Sequence, residues 1–194
     1  EIIMSTLQKK ETWEKTGRWD DQAVDVWFKS KLKNESEVGF GWSHEEAITE
    51  MMKSFIVSYN DLPRAVHQFQ NKLRNEVRAK SGIMRCREFI MKDMYYFAAN
   101  DQENTDFYNK TIEAYKNVFN RIGLNGITYT TSASGGVFTD KFGHEFQTIC
   151  DAGEAFIYVN KEKGLAINEE VYNKETLEKM GMKEEDFEKV KAAE

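Results

Sequence analysis

Apolar residues recur along this chain with two periods, and the period predicts the element. Ile48, Met51, Met52, Phe55 and Tyr59 fall three and four apart, which predicts an amphipathic helix over 44–58. Ser43 and Glu46 stand in the S-x-x-E spacing of a capping box at its start. Asn60-Asp61-Leu62-Pro63, with the only proline, ends it. Tyr108, Ile112, Tyr115, Phe119 and Ile122 predict a second helix, capped by Asn104 or Thr105 and closed at Gly123. Alternation with period two marks strands over 24–32 and 38–42, with Asn34-Glu35-Ser36 as the turn between them. Two longer strands, 65–76 and 85–97, form an antiparallel hairpin whose loop contains Ser81-Gly82. Further strands are expected over 127–131, 144–150 and 155–159, with a Gly-rich turn at Ser134-Gly135-Gly136. Residues 1–4 read as a strand and 7–16 as a short polar helix. From Glu169 the chain turns Lys/Glu-rich and reads as one or two surface helices. The pattern as a whole is α+β, built on a mainly antiparallel sheet.

Composition narrows the function classes. The chain has 194 residues, 40% hydrophobic and 13% aromatic, enough to bury a core. A net charge of -6 argues against coating nucleic acid over the whole surface. There is no apolar run near the roughly 20 residues of a membrane helix, and no signal-peptide pattern, so a cytoplasmic protein is expected. Cys86 and Cys150 lack any zinc spacing. The chain opens on a strand pattern without a lead-in and stops at Glu194 without a closing cap, which reads as a piece of something longer. One local exception stands out against the acidic average. Arg74, Arg78, Arg85 and Arg87 crowd one stretch, while Arg18, Arg64 and Arg121 are scattered. Arginine grips phosphate and carboxylate in a bidentate way, so the cluster is the first place to look for chemistry.

The hairpin divides into faces. Gln68, Gln70, Lys72, Arg74 and Glu76 lie on one side of the first strand, with Phe69 and Leu73 on the other. In the second strand Arg85, Arg87, Phe89, Met91, Asp93 and Tyr95 share a face. Such a face fits a binding floor, with arginines for phosphate, a ring for a base and carboxylates for an amine. It also fits an exposed sheet laced with cross-strand ion pairs. In Ser43-His44-Glu45-Glu46 capping accounts for Ser43 and Glu46 and leaves His44 and Glu45 unexplained. A zinc-protease H-E-x-x-H is excluded, because Ile48 occupies the second His position. Gly143-His144-Glu145-Phe146 reads as a strand with a core histidine or a site histidine. Val137 and Phe138 follow the Gly-rich turn where a P-loop needs Lys-Ser/Thr. Cys86 between two arginines is incidental or weakly activated.

RNEVRAKSGIMRCREFIMKDMYYF resembles the second signature motif of class II aminoacyl-tRNA synthetases, in the form found in bacterial-type prolyl-tRNA synthetases. EIIMSTLQKKETWEKTGRW is similar to that family's segment around its first motif, and GWSHEEAIT to its proline-binding T-H-E-E loop. SYNDLPRAVHQFQNKLRNE resembles the strand leading into the second motif, and GGVFTDKFGHEFQ the Gly-Gly turn and S-H-E-F strand. The likeness runs in the family's order over nearly the whole chain.

The resemblance implies ATP-dependent activation of proline to prolyl-adenylate and transfer to tRNA(Pro). It implies that Arg74 holds the α-phosphate and the substrate carboxylate. Glu76 would read the adenine amino group, Arg85 meet the γ-phosphate and Phe89 stack on adenine. Ser43 and Glu45 would bind the prolyl amine; Met91, Asp93 and Tyr95 would shape the proline pocket, and His144 close it. ATP with Mg2+ as its counterion, no protein-bound zinc and a homodimer are further implications. Ser5 stands where the first motif ends its strand in proline, Ser43 replaces threonine, and Asn75 replaces aspartate. Ala79 and Lys80 replace a Pro-Arg pair that faces the tRNA acceptor end, and Gly143 replaces serine. The stretch from Gly136 to His144 looks longer than the family's. Residues 1–168 are expected to be a partial catalytic core, and 169–194 a helical tail leading toward a third motif that the sequence lacks. On that reading the chain alone is expected to be inactive. A threonyl- or seryl-type synthetase, or a non-catalytic synthetase-like nucleotide-binding paralogue, stays open as an alternative.

Overall fold

The computed structural model describes residues 1–80, 82–135, 138–139 and 143–193. The chain forms two compact units, Glu1–Asp106 and Phe107–Glu194.

The first unit begins with strand β1 (Leu7–Lys9), helix α1 (Lys10–Glu14), strand β2 (Phe28–Lys31) and strand β3 (Glu37–Phe40). The strands pair antiparallel in the order β1-β3-β2. The stretch 7–16 therefore divides: Leu7 and Lys9 pair with Phe40 and Val38, and only the following residues turn into helix. The strand expected from residue 24 starts only at Phe28. Val24 and Trp27 are drawn instead into a cluster with Trp13, Trp19 and Trp42. Trp13 and Trp27 meet edge-on with ring centroids 5.1 Å apart, a favoured aromatic geometry. Gly39 lies against this cluster, where an added Cβ would collide with the Trp27 and Trp19 rings. Residues 1–4 form no strand; Ile2 donates to the His67 carbonyl and the Met4 N–H to Gln68 Oε1.

Helix α2 covers Glu45–Met52, shorter at its end than the periodicity predicts. The apolar spacing continues past Met52, but Phe55 and Tyr59 stand exposed. The expected Ser43–Glu46 capping box is absent. His44 holds the N-cap position without a side-chain bond to the helix. Glu46 turns away to Arg18 Nη1 at 2.5 Å and to Thr16 Oγ1 at 2.9 Å. A capping box does form downstream, between Ser58 and Asp61 at the short turn Tyr59–Asp61.

Strands β4 (Arg64–Leu73) and β5 (Glu88–Phe97) make the expected antiparallel hairpin, in register from Arg64↔Phe97 to Leu73↔Glu88. Both strands stop short of their predicted loop-side ends. Residues 74–87 form a connection braced by Arg87, which donates to the carbonyls of Glu76 (2.9 Å) and Val77 (3.2 Å). Ser81 of that loop lies outside the described residues.

Helix α3 spans Asp101–Arg121. Its start is capped by Asn100, upstream of the expected Asn104 or Thr105: Glu103 N–H donates to Asn100 Oδ1, and Ala99 N–H donates to Glu103 Oε2. Gly123 closes it with φ +82°. Five strands of the second unit then close into a barrel: β6 (Thr128–Ala133), β7 (Gly143–Ile149), β8 (Ala155–Asn160), β9 (Leu165–Asn168) and β10 (Glu188–Ala193), in the order β10-β7-β6-β9-β8. The pairs are antiparallel except β6 with β9.

The tail departs from its expected all-helical form. Helix α4 (Lys174–Met180) is present, capped by Asn173 and ended by Gly181 in the left-handed region. The chain then returns as β10 and pairs with β8 from Glu188↔Val159 to Ala192↔Ala155. Glu188-Lys189-Val190-Lys191-Ala192 alternates, and Val190 and Ala192 pack with Ile157, Val159 and Ala166 in the barrel core. Lysines at the outward positions give the segment the composition of a surface helix while its period is that of a strand. The Gly-rich turn at Gly136 and the stretch 140–142 leading to Gly143 lie outside the described residues.

Candidate active site

The register of the hairpin joins the two faces that the sequence presents separately. Lys72 opposes Phe89, Gln70 opposes Met91, and Gln68 opposes Asp93. Directly opposed residues of an antiparallel pair project to the same side, so these six and Tyr95 line one floor.

Asp93 organises its centre. One carboxylate oxygen, Oδ2, accepts from Lys72 Nζ at 2.9 Å, Gln68 Nε2 at 3.1 Å and Tyr95 Oη at 2.8 Å. The other, Oδ1, is buried with no hydrogen-bond partner. Burial works to raise the Asp93 pKa, yet the bonds from Lys72, Tyr95 and Gln68 carry it below the ordinary carboxylate value. Lys72 is 0% exposed and also meets His44 Nδ1 at 2.5 Å. An ammonium has only donors, so Nδ1 must accept, and the His44 proton sits on Nε2, 3.2 Å from the Ser5 carbonyl. The imidazole is thereby held neutral. Burial and the neighbouring Lys72 charge push its pKa down to about 4.

The start of α2 supplies the facing groups. Gly41 and Trp42 lead out of β3 and hold Ser43 buried; the Ser43 carbonyl accepts from Gln8 Nε2 at 2.9 Å, and Gln8 Oε1 accepts from Trp13 Nε1. An added Cβ at Gly41 would collide with Gln8 and crowd His44, so the strand end can approach this closely only as glycine. Glu45 Oε2 is buried without a partner, and burial raises the Glu45 pKa against a bond from Ser43. The Tyr95 phenol is pushed up by burial, by the Glu45 charge and by its bond to Asp93. Ser43, Glu45, Lys72, Asp93 and Tyr95 therefore form one electrostatic cluster.

Beside it lies the arginine end. Arg74 is fixed by its N–H to the Arg87 carbonyl at 2.9 Å and by Nε to the Trp42 carbonyl at 3.3 Å, and its guanidinium stands 5.3 Å over the Phe89 ring. Glu76 and Arg85, expected at opposite ends of a nucleotide, pair with each other at 3.6 Å. Met91 is half-buried on the same floor. Cys86, also half-buried, turns its Sγ to the carbonyls of Gly82 and Ile83. His144 belongs to the second unit, where Nδ1 lies 3.0 Å from the Tyr108 hydroxyl.

This arrangement can bind an ammonium at paired carboxylates and an anion at a nearby guanidinium backed by an aromatic plate. The chain belongs to the class II tRNA synthetase core domain family (G, H, P, S and T), matched over residues 28–190.

Curated relatives of this synthetase core carry the name proline–tRNA ligase. The chain is 38% identical over 188 residues to that of Caldicellulosiruptor saccharolyticus, covering 93% of this chain and 32% of the relative. It is 40% identical over 185 residues to that of Caldicellulosiruptor bescii, covering 90% and 32%. With the ligase of Ehrlichia ruminantium it shares 34% over 162 residues, 84% of this chain and 37% of the relative. The chain thus spans about a third of the length of these relatives.

Three residues of this cluster carry no role from sequence reasoning: Lys72, Gln68 and His44. Lys72 and Gln68 sit on the polar face that the alternation defines, but their partner Asp93 is fixed only by the strand register. Among the described residues no group of three His, Cys, Asp or Glu side chains is placed to hold a metal ion. No helix of the described residues is long and apolar enough to cross a membrane.

Proposed function

We propose that this chain carries the amino-acid site and part of the ATP site of a proline–tRNA ligase. The observation that carries the reading is the shared floor of β4 and β5, with buried, unpartnered oxygens of Glu45 and Asp93 beside Arg74 stacked on Phe89. The relatives' shared name supports proline as the amino acid.

In the first step a proline carboxylate oxygen attacks the α-phosphorus of ATP in line. A carboxyl–phosphate bond forms, the bond to the bridging α,β-oxygen breaks, and pyrophosphate leaves with Mg2+ as its counterion. The chemistry is positioning and charge neutralisation. Arg74 would bridge the substrate carboxylate and the α-phosphate, countering charge on the five-coordinate phosphorus. Phe89 would stack on adenine, Glu76 accept from its amino group, and Arg85 meet the γ-phosphate once the Glu76–Arg85 pair parts. Glu45, oriented by its bond from Ser43, would meet the prolyl ammonium, with Met91, Asp93 and Tyr95 lining the pocket around it. The role expected of His144 rests on the resemblance alone. In the second step a terminal ribose hydroxyl of tRNA(Pro) takes the prolyl group from the adenylate and AMP leaves. A cytoplasmic homodimer is the setting that the family suggests for both steps.

Calorimetric titration of this chain with a non-hydrolysable prolyl-adenylate sulfamate tests the reading, with the seryl and threonyl sulfamates as comparators. Saturable binding of the prolyl compound, at least tenfold tighter than the others, is expected. Absent or indiscriminate binding would overturn it.

A further inference from the structure

Lys72 is the one lysine of the hairpin floor, and it makes no contact with solvent. Taking a lysine out of water costs several kcal/mol unless its ammonium is paired and hydrogen-bonded, so a position of this kind needs a reason. Among the described residues its three N–H donors find Asp93 Oδ2 and His44 Nδ1. The charges facing it are Asp93 and Glu45, both negative, and Arg74, positive, with His44 neutral. Lys72 cancels Asp93. That leaves Glu45 to meet one substrate ammonium and Arg74 to meet one substrate carboxylate, an exact charge match for an amino acid.

The hydrogen-bond count agrees. Lys72, Gln68 and Tyr95 fill Asp93 Oδ2 and leave Oδ1 open, while Glu45 leaves Oε2 open. Two open buried acceptors match the two N–H bonds of a secondary ammonium; a primary ammonium would bring a third.

We propose that Lys72 is a positioning residue for the amine pocket: acting through Asp93, it keeps that carboxylate ionised and turned so that Oδ1 remains open beside Glu45 Oε2 to receive a cyclic secondary ammonium. The inference rests on the proline reading above and assigns it a residue that never touches substrate. His44 completes the device, since its Nδ1 accepts a second bond from the same ammonium. Without Lys72, burial favours protonation of Asp93, and one of its oxygens becomes a donor where the ammonium needs an acceptor. Among the described residues no other group facing this point replaces the cation. Arg74 is tied to the Trp42 carbonyl, Gln68 and Tyr95 are neutral, and His44 is held uncharged.

The test is titration of L-proline into the whole chain at pH 7 and pH 9, using wild type, Glu45→Gln, Lys72→Met and the double variant K72M/D93N. Tryptophan emission reports folding, because all four tryptophans of the chain lie in the cluster of the first unit. Wild type should bind with similar affinity at both pH values, and Glu45→Gln should bind weakly. Lys72→Met should bind about 30-fold more weakly at pH 7 and recover toward wild type at pH 9 as Asp93 ionises again. The double variant leaves no uncompensated charge, so it decides the matter if Lys72→Met does not fold. It should bind weakly at both pH values, because nothing at position 93 titrates. A folded Lys72→Met that binds like wild type, or that is weakened equally at both pH values, overturns the role of Lys72 while leaving the proline reading intact; so does a double variant that binds like wild type. Absence of proline binding by wild type, or no effect of Glu45→Gln, overturns the proline reading and this inference with it.

Discussion

Lys72 Nζ lies 2.9 Å from Asp93 Oδ2 across the hairpin, with the lysine side chain fully buried and the aspartate 11% exposed. The two belong to strands joined by a long loop, and neither has another opposite charge in hydrogen-bonding range among the bonds described. Removing one partner of such a pair strands the other. Lys72→Met is expected to destabilise the first unit by about 3–5 kcal/mol, whereas K72M/D93N should cost far less, because removing both charges leaves none uncompensated. Urea unfolding followed by tryptophan emission measures both. Equal losses in the single and double variants would contradict the pairing.

His44 gives the stability a pH dependence. Its folded pKa, about 4, lies below the unfolded value near 6.5, so the unfolded chain binds the extra proton between them. The contribution is whole above about pH 6.5 and is lost as pH falls toward about 4, by at most about 3 kcal/mol. Asp93, with its lowered pKa, adds a loss in the same direction at the acid end. Denaturant midpoints for wild type and His44→Gln between pH 7 and pH 4 isolate the histidine. The variant should show the shallower decline, and parallel curves would count against a neutral buried His44.

The tail's return into the barrel rests on a close backbone approach. At Gly153 an added Cβ would collide with the backbone of Ala192 in β10. Gly153→Ala should therefore displace β10 and cost about 1–3 kcal/mol. Hydrogen exchange reads this directly: amides of 188–193 should lose protection while those of β6 keep more of theirs. Unchanged protection in β10 would contradict the packing.

Arg74 and Phe89 are expected to divide the adenylate between them. Arg74→Ala should weaken the prolyl-adenylate sulfamate at least 100-fold, since it removes the cation at the linkage between amino acid and nucleotide. Phe89→Leu, which keeps bulk but loses the ring, should cost about tenfold, or about 1.4 kcal/mol, within the range of base stacking on an aromatic ring. Calorimetry on the two variants gives the ratio. A larger loss at Phe89 than at Arg74 would reverse the assigned roles.

Much of this architecture is legible in the chain because its signals are local. The hairpin, both longer helices and the closing Gly123 follow from period and turn chemistry within a window of a dozen residues. The second-motif segment and Ser43-His44-Glu45-Glu46 carry the family in short contiguous stretches. The misread elements share a cause. Ser43–Glu46 has the spacing of a capping box, yet Glu46 finds Arg18 and Thr16 from a distant segment. Residues 188–193 alternate like a strand, yet their charge gives them the look of a surface helix, and only the open edges beside β7 and β8 call for one. Residues 24–27 look like the start of β2 until four tryptophans compete for the same interior.

The sequence by itself determined the element types, the two polar faces of the hairpin and the residues that carry the resemblance, because each depends on neighbours along the chain. Tertiary structure decided how those faces combine. Pairing Gln68 with Asp93 and Lys72 with Phe89 puts Lys72 within reach of Asp93, and packing α2 above them brings in His44. No spacing rule reports that buried cation. Strand register is set by pleat and turn geometry across a gap of twenty residues, and the protonation of Lys72, His44 and Asp93 follows from that placement and the loss of water it brings.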